Sequence, residues 1–82
     1  MKKRRLLDKA LSKPAALRFT EVCRLAEAFG YRLDRVRGSH HIYESPRAAR
    51  PLNFQNLHGM AKAYQVRQLL RDVEEFNLVL EE

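Results

Sequence analysis

The stretch Gly38-Ser39-His40-His41-Ile42-Tyr43-Glu44-Ser45-Pro46 places two adjacent imidazoles directly after a turn signal. The chain has 3 histidines, and the third, His58, stands apart. A metal site is the first chemistry to weigh. Adjacent residues of a strand point to opposite faces, so His40 and His41 cannot easily share one ion. No cysteine or carboxylate stands at a recognised ligand spacing, and no metal is expected. A hydrolytic triad fits less well still. Ser39 adjoins His40, but sequence neighbours rarely have the geometry for proton abstraction, and no nucleophile elbow is present.

General acid–base chemistry on RNA suits these residues better. RNA carries its own nucleophile, the ribose 2′-hydroxyl, so a protein need only move a proton and stabilise charge on phosphorus. Imidazole titrates near neutrality, and one well-placed ring contributes ~10²–10⁴-fold. Arg35, Arg37, Arg47 and Arg50 surround the pair, with Arg32 and Lys62 as further cations. Guanidinium groups are suited to stabilising phosphate oxygens. A second reading fits the pattern equally well: the two histidines cap a hairpin and meet RNA by shape alone.

The elements that must position these residues follow from periodicity and turn chemistry. Residues 4–12 suit a short helix with Leu7 and Leu11 on one stripe, stopped by Pro14 and preceded by a frayed basic tetrad, Lys2 to Arg5. Val22, Leu25, Ala26 and Phe29 recur at i, i+3, i+4, i+7, the spacing of one buried helical face. Thr20 suits its N-cap, Glu21 its first turn and Gly30 its stop. Tyr31, Leu33 and Val36 among charges give a half-exposed strand, and Gly38-Ser39 turns it into a second strand, HHIYE. Leu52 and Phe54 alternate with Asn53 and Gln55, so a third strand packs one face and wets the other. Val66, Leu69, Leu70, Val73 and Phe76 mark a second amphipathic helix, with Leu78 and Leu80 packing beneath its end.

Helix, three antiparallel strands and helix, behind a short extra helix, make an α+β two-layer sandwich with one sheet face open. Parity along the second strand then matters. If Ile42 faces the core, His40 escapes burial only by standing at the very start of the strand. His41 and Tyr43 would then line the open face. Strands between the two main helices leave no helix–turn–helix spacing, which disfavours a DNA-binding regulator.

Composition bounds the rest. At 82 residues this is one domain with a small core and no room for a separate cofactor domain, so no cofactor is expected. The net charge of +6 is uneven: residues 1–50 carry 13 basic and 5 acidic groups, residues 51–82 carry 3 and 5. A basic side favours a polyanion, RNA above all. The acidic tail, Asp72, Glu74, Glu75, Glu81 and Glu82, suits a solvated helix end or a basic patch on a partner. Cys23 lies within an apolar helical pattern and suits a buried thiol. No apolar run reaches the ~20 residues of a membrane span. Asp8 and Lys9 break the apolar stretch after the basic start, so a cytoplasmic location is expected.

AFGYRLDRVRGSHHIYESP, then RPLNFQNL, then AKAYQVRQLL, together with the LRFTEVCRLAEAFG helix, resembles the HicA family of toxins from bacterial toxin–antitoxin pairs. The likeness spans residues 17–78. It implies a fold like a double-stranded-RNA-binding domain for residues 17–82, with residues 1–16 as a basic extension. It implies a metal-independent ribonuclease that cuts mRNA and a cognate HicB-type antitoxin that covers the site. The family's catalytic histidine follows the Gly-Ser turn, so the resemblance assigns that role to His40, with Gly38 and Ser39 presenting it. His41 falls where the family varies and is left as an RNA contact or bystander. Arg35, Arg37, Arg47, Arg50, Asn53, Gln55 and Lys62 would then contact RNA, as would Tyr43 by stacking on a base, unless it packs half into the core as strand tyrosines more often do. Ala63 stands where relatives carry a proline, which loosens the helix start. His58 has no role in the family. A non-catalytic RNA-binding module of the same fold remains the alternative.

Overall fold

The computed structural model describes residues 2–81. Its elements are α1 (Lys3–Ser12), a 3-10 turn at Pro14–Ala16, α2 (Phe19–Ala28), β1 (Arg32–Arg37), β2 (His40–Glu44), β3 (Leu52–Gln55) and α3 (Ala63–Glu75). The α+β layout expected from the sequence is the one found, a double-stranded-RNA-binding-like α-β-β-β-α order behind a short N-terminal helix. No helix among the described residues is long and apolar enough to cross a membrane.

Helix ends follow local chemistry. The α2 helix begins two residues earlier than a Thr20 N-cap would start it: Arg18 is the N-cap, and the Glu21 carboxylate, three residues on, accepts the Arg18 backbone N–H at 2.9 Å. That bond, ahead of the Lys9 ammonium, which also donates to Glu21 at 2.9 Å, holds the Glu21 carboxyl below its ordinary range. At the other end Gly30 takes φ +94°, and Tyr31 N–H returns to the Ala26 carbonyl at 3.1 Å, a Schellman closure. Asn77, at φ +53°, closes α3 in the same way and turns Leu78 into the core.

The basic start is ordered rather than frayed. Lys3 to Arg5 form the first turn of α1, and Lys3 Nζ donates to the Glu81 carbonyl at 2.8 Å. The fully buried face of α1 is Leu6 and Ala10; of the expected stripe, Leu7 is half-buried against the core and Leu11 is 62% exposed. Both stripes satisfy the i, i+4 spacing, and docking against α2 and α3 selects between them.

The sheet is antiparallel in the order β1-β2-β3, with β2 central. A bulge between Leu33 and Arg35 shifts the β1 register. Helices cover one sheet face, where Tyr43, Leu52 and Phe54 join Leu17, Val22, Leu25, Phe29, Val66 and Leu69. Residues directly opposite in register share a face, so His41 lies with Phe54 on the covered side. The β2 parity is therefore the reverse of the expected one. His40 and Ile42 face out, and His41 and Tyr43 face in.

Candidate active site

Two residues connect β1 to β2, and Gly38 takes φ +59° there, a backbone conformation that costs glycine little and other residues more. Arg37 and His40 close this turn as paired residues. The Ser39 carbonyl accepts the Asn56 backbone N–H at 3.2 Å, which fastens the turn to the loop after β3. His40 is thus held at a fixed point on the rim of the open face.

Register places its neighbours. In the first row Arg37, His40 and Gln55 lie side by side; in the next, Arg35, Ile42 and Asn53. The His40 Nδ1 is 3.1 Å from Asn53 Oδ1, a diagonal contact between adjacent strands. No helix covers this face. An imidazole, two guanidinium groups and two amides therefore meet solvent together, a set able to bind a phosphodiester and move a proton near it.

Several residues expected on this face lie elsewhere. His41 packs its ring against Phe19, with centroids 4.7 Å apart in an edge arrangement, and its Nδ1 is buried without a hydrogen-bond partner among the described residues. Tyr43 is 4% exposed, 5.5 Å from the Phe54 ring. Burial, then its hydrogen bond with Cys23, pushes the Tyr43 hydroxyl far above its usual range. The Cys23 thiol is also raised by burial, consistent with the inert thiol expected from its apolar surroundings. Tyr43 is a core residue and cannot stack on a base.

The cations divide. Arg35 and Arg37 stand on the open face, Arg35 in an exposed ion pair with its neighbour Asp34. Arg47 is exposed in the β2–β3 loop, at the end of the sheet away from the Gly38 turn, where its backbone N–H donates to Ser45 Oγ at 3.2 Å. Arg50 is committed elsewhere. Its guanidinium donates to Asp72 at 2.6 Å and Glu75 at 2.8 Å and lies 5.0 Å over the Phe76 ring. Those bonds, Glu75 first, raise the Arg50 guanidinium, and they hold the Glu75 carboxyl low. Asp72 is fully buried, so the acidic helix end is not simply solvated. Arg50 has traded availability for an intramolecular bond, and the shared segment of sequence gave no sign of it.

Lys62 caps α3 and lies 6.0 Å from the Tyr64 ring. Two α3 residues escaped the sequence reading. Gln65, nearly buried, accepts the Gln55 backbone N–H at 2.8 Å and so satisfies a donor on the edge of β3. Tyr64 is 62% exposed and lines a shallow cleft of about 270 Å³ with Pro51, Leu52, Asn53, Gln65 and Gln68. Its place off the apolar stripe was the signal: a tyrosine outside the buried face must point elsewhere. His58 sits at φ +52° in a tight two-residue turn between Leu57 and Met60, exposed. Among the described residues no group of three metal-ligating side chains comes together.

Comparison with known families finds one match. A family model described as "HicA toxin of bacterial toxin-antitoxin" covers residues 19–74, from the start of α2 almost to the end of α3. No curated protein and no solved structure matches.

Proposed function

The chain belongs to the HicA family of bacterial toxin–antitoxin toxins, and from that premise we propose that it is a metal-independent ribonuclease that cleaves mRNA at His40. One observation carries the reading: His40 alone of the paired histidines stands on the open sheet face, beside Arg37 and within 3.1 Å of Asn53. The ribose 2′-oxygen attacks the adjacent phosphorus, and the bond from phosphorus to the 5′-oxygen breaks. His40 exchanges a proton with one of these oxygens. Arg35 and Arg37 stabilise the charge on the phosphorane. Products are a 2′,3′-cyclic phosphate and a 5′-hydroxyl.

RNA tracks the open face through Arg35, Arg37, Asn53 and Gln55, with Lys62 at its edge, while Arg47 reaches the backbone further along. Tyr64 offers the stacking surface that Tyr43 cannot. A cognate HicB-type antitoxin is the protein partner and silences the toxin by covering this face. Such a toxin acts where mRNA is translated, in the cytoplasm.

Incubation of labelled mRNA with the purified protein in EDTA tests the reading. Cleavage by the wild type that is lost in His40→Ala supports it. RNA binding without cleavage by the wild type leaves a non-catalytic RNA-binding module.

A further inference from the structure

Among the described residues Asn53 is the one side chain bonded to the His40 ring, and the bond has a chemical direction. With the amide oxygen turned to the ring, as it stands here 3.1 Å from Nδ1, the oxygen accepts and Nδ1 is the atom that carries the proton. A neutral imidazole has one N–H, and its other nitrogen then holds the lone pair. We propose that Asn53 is a positioning residue that fixes His40 in its Nδ1–H tautomer and so presents a basic Nε2 to the open face. This rests on the ribonuclease reading and deepens it, because it assigns the histidine its first step.

The geometry argues that the bond is built in rather than incidental. Asn53 lies on β3 opposite Ile42, one residue pair along from the Gln55–His40 pair, so the two strands deliver amide and ring to each other by register. Its backbone lies between two core residues, Leu52 and Phe54, that cannot move without opening the core. The His40 backbone is fixed by the Gly38 turn. Charged groups near this face come from β1: Arg37 in the pair beside His40, Arg35 in the next, and Asp34 at the bulge. The two cations cannot compete with Asn53 for the Nδ1 proton, and the Asp34 carboxylate is engaged by Arg35. Gln55 is the remaining neighbour in the row, and its backbone is tied to Gln65.

The step then balances. The 2′-hydroxyl proton passes to Nε2 as the 2′-oxygen bonds phosphorus, giving an imidazolium whose second N–H is still held by Asn53. The bond to the 5′-oxygen breaks, and that oxygen takes a proton from the imidazolium or from water. A carbonyl or carboxylate that fixes the tautomer of a histidine and steadies its charged form is a general device.

The test reads the tautomer directly. Nitrogen-15 shifts of His40 in the wild type, Asn53→Ala and Asn53→Asp are measured above the pH at which the ring is charged, beside cleavage of labelled mRNA. The wild type and Asn53→Asp, which retains an acceptor, are expected to show Nδ1–H. Asn53→Ala is expected to revert to the Nε2–H form that free imidazole favours and to cleave roughly 10-fold more slowly, part of the ~10²–10⁴-fold that a positioned base supplies. A wild-type ring already in the Nε2–H form overturns the inference, as does full cleavage by Asn53→Ala. If the tautomer behaves as expected but the wild type cleaves nothing, the ribonuclease reading is what fails.

Discussion

The Arg50 guanidinium lies 2.6 Å from an Asp72 carboxylate that has no exposure to solvent, although 22 residues separate them. Gln68 donates to the same oxygen at 2.8 Å, while the other oxygen has no hydrogen-bond partner among the described residues. A buried carboxylate left without its cation is costly, far more so than the pair itself is stabilising. Arg50→Met is therefore expected to lower Tm by roughly 5–10 °C, and adding Asp72→Asn should restore part of the loss by removing the orphaned charge. Affinity for RNA should be unchanged in the folded variant. Thermal unfolding of the single and double variants decides the first point, and a drop in RNA affinity for Arg50→Met would return that residue to the binding face.

The N-terminal helix belongs to the same buried cluster as the rest of the domain, through Leu6 and Ala10. Leu6→Ala should cost about 2–5 kcal/mol in chemical denaturation, as other buried leucines do. Leu11→Ala, at a position open to solvent, should stay within about 0.5 kcal/mol of the wild type. The reverse order would mean that α1 docks by its other stripe.

Against Phe19, His41 contributes a ring edge and one unpartnered nitrogen. Replacing it with an apolar ring removes an unsatisfied polar atom and keeps the packing. His41→Phe should stay within about 1.5 kcal/mol of wild-type stability and retain cleavage. His41→Lys, which forces a charge among Phe19 and Phe54, should unfold at markedly lower temperature. Loss of cleavage in a stably folded His41→Phe would give that histidine a share in the chemistry.

Arg37 and Tyr64 should fail in different ways. A phosphate contact releases counterions, so Arg37→Ala is expected to weaken RNA binding at every sequence and reduce the slope of log K against log salt by about 1. Stacking is insensitive to salt. Tyr64→Ala should cost about 1–3 kcal/mol of affinity at an unchanged slope, with Tyr64→Phe close to the wild type. Binding titrations across a salt series separate the two.

What the chain's linear pattern determined was the type and order of its elements. The i, i+3, i+4, i+7 apolar spacing of Val22 to Phe29, the Gly30 stop, the Gly38-Ser39 turn and the Leu52/Phe54 alternation each act within a few residues, and each element formed where those signals stand. That His40 follows the Gly38-Ser39 turn and opens β2 was legible for the same reason, although the face it takes was not.

Tertiary structure decided which way each element faces. In β2 the sequence HHIYE offers apolar character at both parities, Ile42 on one and Tyr43 on the other, so strand periodicity alone could not choose. The helix layer chose: Tyr43 meets Phe54 and Cys23, His41 meets Phe19, and Ile42 turns outward beside Asn53. A one-residue change of parity moves every side chain to the other face, and that single choice put His40 in the open and removed Tyr43 from it. The same holds for α1, where two stripes were available and docking kept Leu6. It holds again for Arg50, a cation in a basic stretch until folding brings Asp72 and Glu75 beside it. Local spacing sets an element's shape, but the choice of face belongs to whatever packs against it.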